Sequence, residues 1–273
     1  MRTVRSLLLR PFKNLANGFL PKPPPLPAGL TPIRQARAED IFIVGYPKSG
    51  NTWFQNLVSS VVYGADPELT PDSVIQELVP DVHAKQYYQR FATPTFFKSH
   101  DLPAPEHKRV VYLLRDGRDA MVSFLHYIRV CLHPDLDFLE FVRNVPRWSG
   151  QGTWSEHVET WLSNPFQCQL MTIRYENLLE DTVRELRRFC EFVGIRPAPG
   201  HLESVAAKAT FAKMRQKELN QDGWANGSHA SWPKDKFFIR RGKRGSYKDE
   251  MPADVLKAFL QQAGPTLAKC GYL

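Results

Sequence analysis

Residues 41–53 read IFIVGYPKSGNTW. Four apolar residues, Ile41 to Val44, run without alternation into a loop carrying Gly45, Pro47, Lys48, Ser49, Gly50 and Thr52. A short unalternating run of this kind reads as a strand buried on both faces. Helical spacing follows: Trp53, Leu57 and Val61 form one row, and Phe54, Val58 and Val62 the next. A strand, a glycine-rich turn and a helix in succession aim backbone N–H groups at one point, and the positive helix end adds to the field. The loop nearly spells the phosphate-binding pattern G-x-x-x-x-G-K-[ST]. Gly45, Gly50 and Thr52 fit it, but Asn51 stands where the lysine belongs and Lys48 comes three residues early. A tight structural turn would use the same glycines without needing Lys48, Ser49 and Thr52 together.

Three further apolar runs, over 95–97, 109–114 and 169–173, have the same character. Helical patterns separate them: 119–130, the stretch around Trp154 to Leu162, a helix capped by Asp181 and closed by Gly194, and a last helix opened by Pro252 that Gly264-Pro265 should break or kink. Buried strands alternating with helices predict an α/β, three-layer fold, its central parallel sheet flanked by helices as in phosphate-loop proteins. Ligands of such sheets collect at the carboxyl ends of the strands. Here those ends carry Lys48-Ser49-Gly50, Lys98-Ser99-His100, Arg115-Asp116 and Arg174-Tyr175. One basic end could be a solvated loop; repeated basic ends point to a shared anion site.

A metal-dependent triphosphatase wants an acid at a strand end. RVVYLLRDGRD delivers Arg115 first, with Asp116 and Asp119 behind it, which leaves a metal role open, but cations dominate and can neutralise the anion without a metal. In TFFKSHDLP, His100 follows Lys98 just beyond a strand and is placed to act as general base. His107, His126, His133, His157, His201 and His229 have no such placement and read as structural. In FFIRRGKRGSYKD, Arg240, Arg241, Lys243, Arg244 and Lys248 surround Gly242 and Gly245, a composition that suits guanidinium groups and backbone amides closing on a phosphate.

Together these segments resemble the cytosolic-type sulfotransferases, which use 3′-phosphoadenosine 5′-phosphosulfate (PAPS) as sulfonate donor. YPKSGNTW, residues 46–53, resembles the family's 5′-phosphosulfate loop. YLLRDGRDAMVSFLHY, residues 112–127, resembles its 3′-phosphate motif, an arginine followed eight residues later by a serine. KSHDLP resembles the segment with the catalytic base, and RRGKRGSYKD the late glycine-rich basic motif. The resemblance implies that Lys48 contacts the oxygen bridging phosphate and sulfonate. It implies that Ser49, Gly50, Asn51 and Thr52 hold the 5′-phosphate and that Trp53 packs on the adenine. Lys98 would lie beside the sulfonate, with His100 as base. Arg115, Ser123, Arg240, Arg241 and Gly242 would bind the 3′-phosphate, while Tyr175 and Phe211 would contact the adenine. The sequence departs from the family at Asn51, Arg241 and Tyr247, which replace threonine, lysine and tryptophan, and it carries no match to the family's dimer motif.

The composition bounds the rest. The chain has 273 residues, 42% of them hydrophobic, enough for one sizeable core. Residues 1–39 read as a basic N-terminal segment and proline-rich linker, and 40–273 as one domain. Seven basic residues against two acidic ones put five of the eight net positive charges in residues 1–40. Residues 1–20 could form a basic helix that docks on anionic lipid, or one that packs on its own domain. Four scattered cysteines, without metal or disulfide spacing, fit a reducing, cytoplasmic setting. The acceptor pocket should draw on residues 64–92, 131–152 and 228–236, whose aromatics suit an apolar, lipid-like or phenolic small molecule with a hydroxyl or amine. Two other classes compete. A phosphate-loop kinase lacks the lysine at position 51. A nucleic-acid-binding domain rests on net charge alone, and no nucleic-acid partner is expected.

Overall fold

The computed structural model describes residues 26–220 and 236–273. The segment 1–20, residues 21–25 of the proline-rich spacer, nearly all of 228–236 and the aromatics Trp224 and Trp232 lie outside the described residues. The chain opens with β1 (Leu30–Pro32), β2 (Ile41–Gly45), α1 (Asn51–Tyr63), α2 (Asp72–Leu78), β3 (Tyr87–Gln89), β4 (Phe96–Ser99) and β5 (Arg109–Leu114). Next come α3 (Gly117–Cys131), α4 (Phe138–Arg143), α5 (Val145–Ser149), α6 (Trp154–Ser163) and β6 (Gln169–Arg174). The rest is helical: α7 (Tyr175–Glu180), α8 (Thr182–Val193), α9 (His201–Lys208), α10 (Phe211–Asn220), α11 (Tyr247–Glu250) and α12 (Ala253–Lys269).

The central sheet is parallel, in the order β4-β2-β5-β6. Strand β2 lies inside it, and every residue of β2 is buried. Its alternate side chains feed two cores. Ile41 and Ile43 join Phe54, Leu57 and Val58 of α1 with Leu186 and Phe189 of α8. Phe42 and Val44 join Met121 and Leu125 of α3, Trp161 of α6 and Phe259 of α12. Double-sided burial is why β2 and β5 carry no polar alternation, whereas β6, expected to be as buried, is a sheet-edge strand with only Met171 and Ile173 fully buried. Burial leaves only the strand ends free for chemistry, and the parallel register puts all four carboxyl ends on one edge.

Three expectations need correction. The strand expected over 95–97 runs from Phe96 to Ser99, because Lys98 and Ser99 pair with Ile43 and Val44. Helix α12 continues through Pro265 to Lys269, held by the burial of Ala263, Thr266 and Leu267 on either side of the proline. Packed structure also begins ahead of Ile41: β1 pairs antiparallel with β3, and Ile33 is buried in the core. Among the described residues, no helix is long and apolar enough to cross a membrane.

Candidate active site

A cavity of about 770 Å³ opens at the carboxyl edge of the sheet. It is lined by Lys48, Gly50, Asn51, Thr52, Trp53, Lys98, His100, Arg115, Ser123, Tyr175, Phe211, Arg240, Arg241 and Gly242. Every residue to which the family resemblance gave a donor-binding or catalytic role, except Ser49, therefore meets in one crevice. Ser49 is buried, does not line the cavity, and its Oγ finds no hydrogen-bond partner.

The turn after β2 is shaped by two left-handed residues. Gly50 has φ +99°, and a Cβ there would lie 2.7 Å from the Tyr175 ring. Lys48 adopts φ +70° although it is not glycine, a conformation that costs on the order of 1–2 kcal/mol. The turn is fastened from outside: Arg115 donates from one terminal nitrogen to the Lys48 carbonyl at 2.8 Å, and Asn51 Nδ2 donates to the Ser99 carbonyl at 3.3 Å. Lys48 Nζ sits 3.8 Å from the centre of the Phe238 ring and 5.0 Å from that of Tyr127. Desolvation in this aromatic setting, with Lys98 and Arg115 nearby, lowers its pKa to about 7.

His100 follows the last residue of β4. Its Nδ1 lies 2.7 Å from the Gly45 carbonyl, which can only accept, so Nδ1 carries the proton and Nε2 keeps its lone pair. Desolvation, then the charge of Lys98, lower its pKa to about 4, and the ring is neutral at physiological pH. Its main chain is held by a histidine that looked unremarkable in the sequence. The buried His157 of α6 lies 3.1 Å from the His100 carbonyl through Nε2 and 2.9 Å from the Tyr112 hydroxyl through Nδ1. Because the carbonyl accepts, Nε2 donates and Nδ1 accepts a hydrogen bond from the Tyr112 hydroxyl. One turn further along α6, Trp161 Nε1 donates to the Asp101 carbonyl at 3.0 Å. Spacing along the chain gave no sign of this support, because α6 lies some fifty residues away and meets His100 only through the fold.

The end of the crevice around Trp53 and Tyr175 has the features of a nucleotide site. Trp53 donates from Nε1 to the Ala209 carbonyl at 2.8 Å and meets Tyr175 edge-to-face at 6.0 Å. The Arg115 guanidinium stacks 4.2 Å from the Tyr175 ring. Gly242, at φ +59°, packs so closely on Phe211 that a Cβ would lie 2.0 Å from a ring carbon. Arg240 and Arg241 both pair with Glu250, Arg241 at 3.3 Å. The buried Nε atoms of Arg115 and Arg240 have no hydrogen-bond partner, so this end holds orphan cationic donors beside aromatic faces. That donor set fits a phosphorylated purine nucleotide. Asp119, left open in the sequence as a metal acid, instead accepts from the backbone N–H groups of Gly245 (2.6 Å) and Tyr247 (2.9 Å) and ties the late basic loop to α3. Asp116 is likewise engaged, with the Arg118 side chain at 2.7 Å.

The cavity also has an apolar lining of Phe124, Tyr127, Ile128, Leu132 and Trp148. Trp148 was anticipated there. Tyr88, Phe138 and Phe141 belong to the core instead, and Tyr87 and Phe91 are exposed on the surface.

The chain is similar to known proteins over most of its length. Residues 38–271 match the family model described as the sulfotransferase domain. Among similar proteins, Cytosolic sulfotransferase 1 of Danio rerio is 29% identical over 241 residues, 79% of this chain and 78% of that protein. The 3-alpha-hydroxysteroid sulfotransferase of Cavia porcellus is 27% identical over 81% of each chain. Flavonol 3-sulfotransferase of Flaveria bidentis is 26% identical over 85% and 84%. The fold is shared with retinol dehydratase, solved with androsterone and the inactive cofactor PAP, at a TM-score of 0.64, 19% identity and coverage of 85% and 81%. It is also shared with mouse SULT7A1 complexed with PAP, at a TM-score of 0.60, 20% identity and coverage of 85% and 86%. The chain belongs to the sulfotransferase family, whose enzymes depend on PAPS.

Proposed function

We propose that the protein transfers a sulfonate group from PAPS to the hydroxyl, or amine, of a small apolar acceptor, with His100 as general base. PAPS supplies an activated sulfonate whose leaving group is the nucleotide's phosphate. The observation that supports the reading is the Nδ1–Gly45 carbonyl contact, which leaves Nε2 as the basic nitrogen of a histidine that lines the same cavity as Lys48, Lys98 and Thr52. His100 takes the acceptor's proton at Nε2 as the acceptor oxygen attacks. Lys48 stabilises the charge that develops on the departing phosphate oxygen, and Lys98 steadies the sulfonate oxygens. Arg115, Ser123, Arg240, Arg241 and Gly242 hold the 3′-phosphate. Gly50, Asn51 and Thr52 hold the 5′-phosphate, while Ser49, whose N–H donates to the Tyr46 carbonyl at 3.0 Å, closes the turn behind them. Trp53, Tyr175 and Phe211 take the adenine.

The wall from Phe124 to Trp148 favours an apolar acceptor. Relatives named for hydroxysteroids and a flavonol, and neighbours solved with androsterone or retinol, support the same class. Incubating the protein with PAPS labelled on sulfur and a small-molecule extract, then identifying labelled products, tests the reading. A labelled, previously apolar alcohol or phenol is expected. Label released only as inorganic sulfate would contradict it.

A further inference from the structure

Lys98 is not an open cation. Its Nζ lies 2.9 Å from Asp81 Oδ2, and both side chains are under a tenth exposed. The main chain makes this pairing rigid. Lys98 N–H donates to the Pro80 carbonyl at 2.9 Å, Val82 N–H donates to the Lys98 carbonyl at 3.0 Å, and Asp81 and Lys98 form a parallel bridge on the free edge of β4. The second carboxylate oxygen is also engaged, accepting from His83 N–H at 2.9 Å. From this anchor Lys98 Nζ reaches Thr52 Oγ1 at 3.4 Å, on the phosphate turn. The ammonium thus spans the gap between Asp81 and the loop assigned to the 5′-phosphate. Among the described residues lining the cavity, Asp81 is the one acid.

A carboxylate here is costly unless paired. Burial alone would raise its pKa, yet the charge of Lys98 and the hydrogen bonds from Lys98 and His83 hold it well below the usual carboxylate range. It remains an anion next to the place where, on the donor assignment above, an anionic sulfonate must arrive. A sulfonate and a carboxylate then share one ammonium.

We propose that Asp81 is a positioning residue that holds Lys98 between itself and Thr52 and competes with the donor's sulfonate for that ammonium. PAP, the nucleotide left after the sulfonate departs, faces Lys98 only across Thr52, whereas the sulfonate of PAPS must share the ammonium directly with Asp81. Asp81 therefore weakens the grip on the donor more than the grip on PAP. After transfer it takes the ammonium back, which loosens the sulfonated product. The inference rests on the PAPS assignment.

The test titrates PAP and PAPS separately into the full-length wild-type protein and Asp81→Asn. The asparagine keeps the shape and a carbonyl acceptor but removes the charge. PAPS should bind on the order of tenfold tighter to the variant, while PAP affinity stays within about twofold. In a Lys98→Met background, Asp81→Asn should change the ratio of the two affinities by less than about twofold. A purely structural role would move both nucleotides together. Parallel changes, an unchanged ratio, or an effect that survives in Lys98→Met would overturn the inference. Should Asp81→Asn not fold, Asp81→Ser carries the same comparison. A wild-type protein that binds neither nucleotide overturns the donor assignment and this inference with it. Binding of both, with the ratio unmoved by Asp81→Asn, overturns the inference alone.

Discussion

Replacing Gly242 by alanine isolates the nucleotide end of the crevice from the rest of the fold. The added Cβ would sit 2.0, 2.6 and 2.7 Å from three atoms of the Phe211 ring, where ordinary contact begins near 3.4 Å. The ring must therefore move by more than an ångström, or the loop must lift by as much. Alanine at φ +59° adds a backbone cost of about 1–2 kcal/mol. For a domain of this size that cost lowers Tm by roughly 2–8 °C, so the variant still folds. The larger effect falls on ligand. If Phe211 stacks on the adenine, displacing it forfeits about 1–3 kcal/mol, the usual worth of a base–aromatic stack. PAP affinity should drop by roughly 5- to 150-fold. Calorimetric titration with PAP reads the affinity, and a thermal melt of the free protein reads the fold. A variant that binds PAP within twofold of wild type would refute the argument, because the Gly242–Phe211 contact would then be packing alone.

Three further outcomes follow from the site. His100, with its pKa lowered to about 4, stays neutral well below the usual histidine range, so the acid limb of the rate should fall near pH 4; a limb near the ordinary value of about 6.5 would contradict the burial of the base. Lys48, at about 7, is largely deprotonated at pH 8 in the free protein, and an arriving anion favours its charged form. PAP binding at about pH 8 should therefore take up protons, seen as a calorimetric enthalpy that varies with buffer, and weaken as pH rises; no buffer dependence would count against it. Asp119→Ala removes the acceptor of two backbone N–H groups and should cost about 2–4 kcal/mol, lower Tm by several degrees and speed trypsin cleavage among residues 240–248. Unchanged Tm and cleavage would show that the loop is held some other way.

The sheet was legible because its inner strands are buried on both faces: Ile41 to Val44 and Val110 to Leu114 have no polar positions to blur them. The crevice was legible because phosphate recognition puts glycine and cations at strand ends, where they interrupt the apolar runs. What stayed hidden depends on side chains brought together from afar. His157 supports His100 across fifty-seven residues, and its setting in α6 resembles any core histidine. Asp81 lies in a short loop without pattern and reaches Lys98 only through an edge-strand bridge. Asp119 looked available for a metal because its backbone partners are more than a hundred residues away. Aromatic content was the weakest guide, since a core and an acceptor wall draw on the same residue types: Phe138 and Phe141 went to the core, Trp148 to the cavity.

The central claim is sulfonate transfer from PAPS with His100 as base, and a paired measurement on the wild type and His100→Ala tests it most directly. Both proteins are titrated with PAP, then supplied with labelled PAPS and an acceptor found in the extract screen, and the labelled ester is followed in a single turnover. The account predicts PAP affinities within a few-fold of each other and a rate of ester formation lower in His100→Ala by at least about two orders of magnitude. Near-normal turnover by His100→Ala, with PAP still bound, would contradict it.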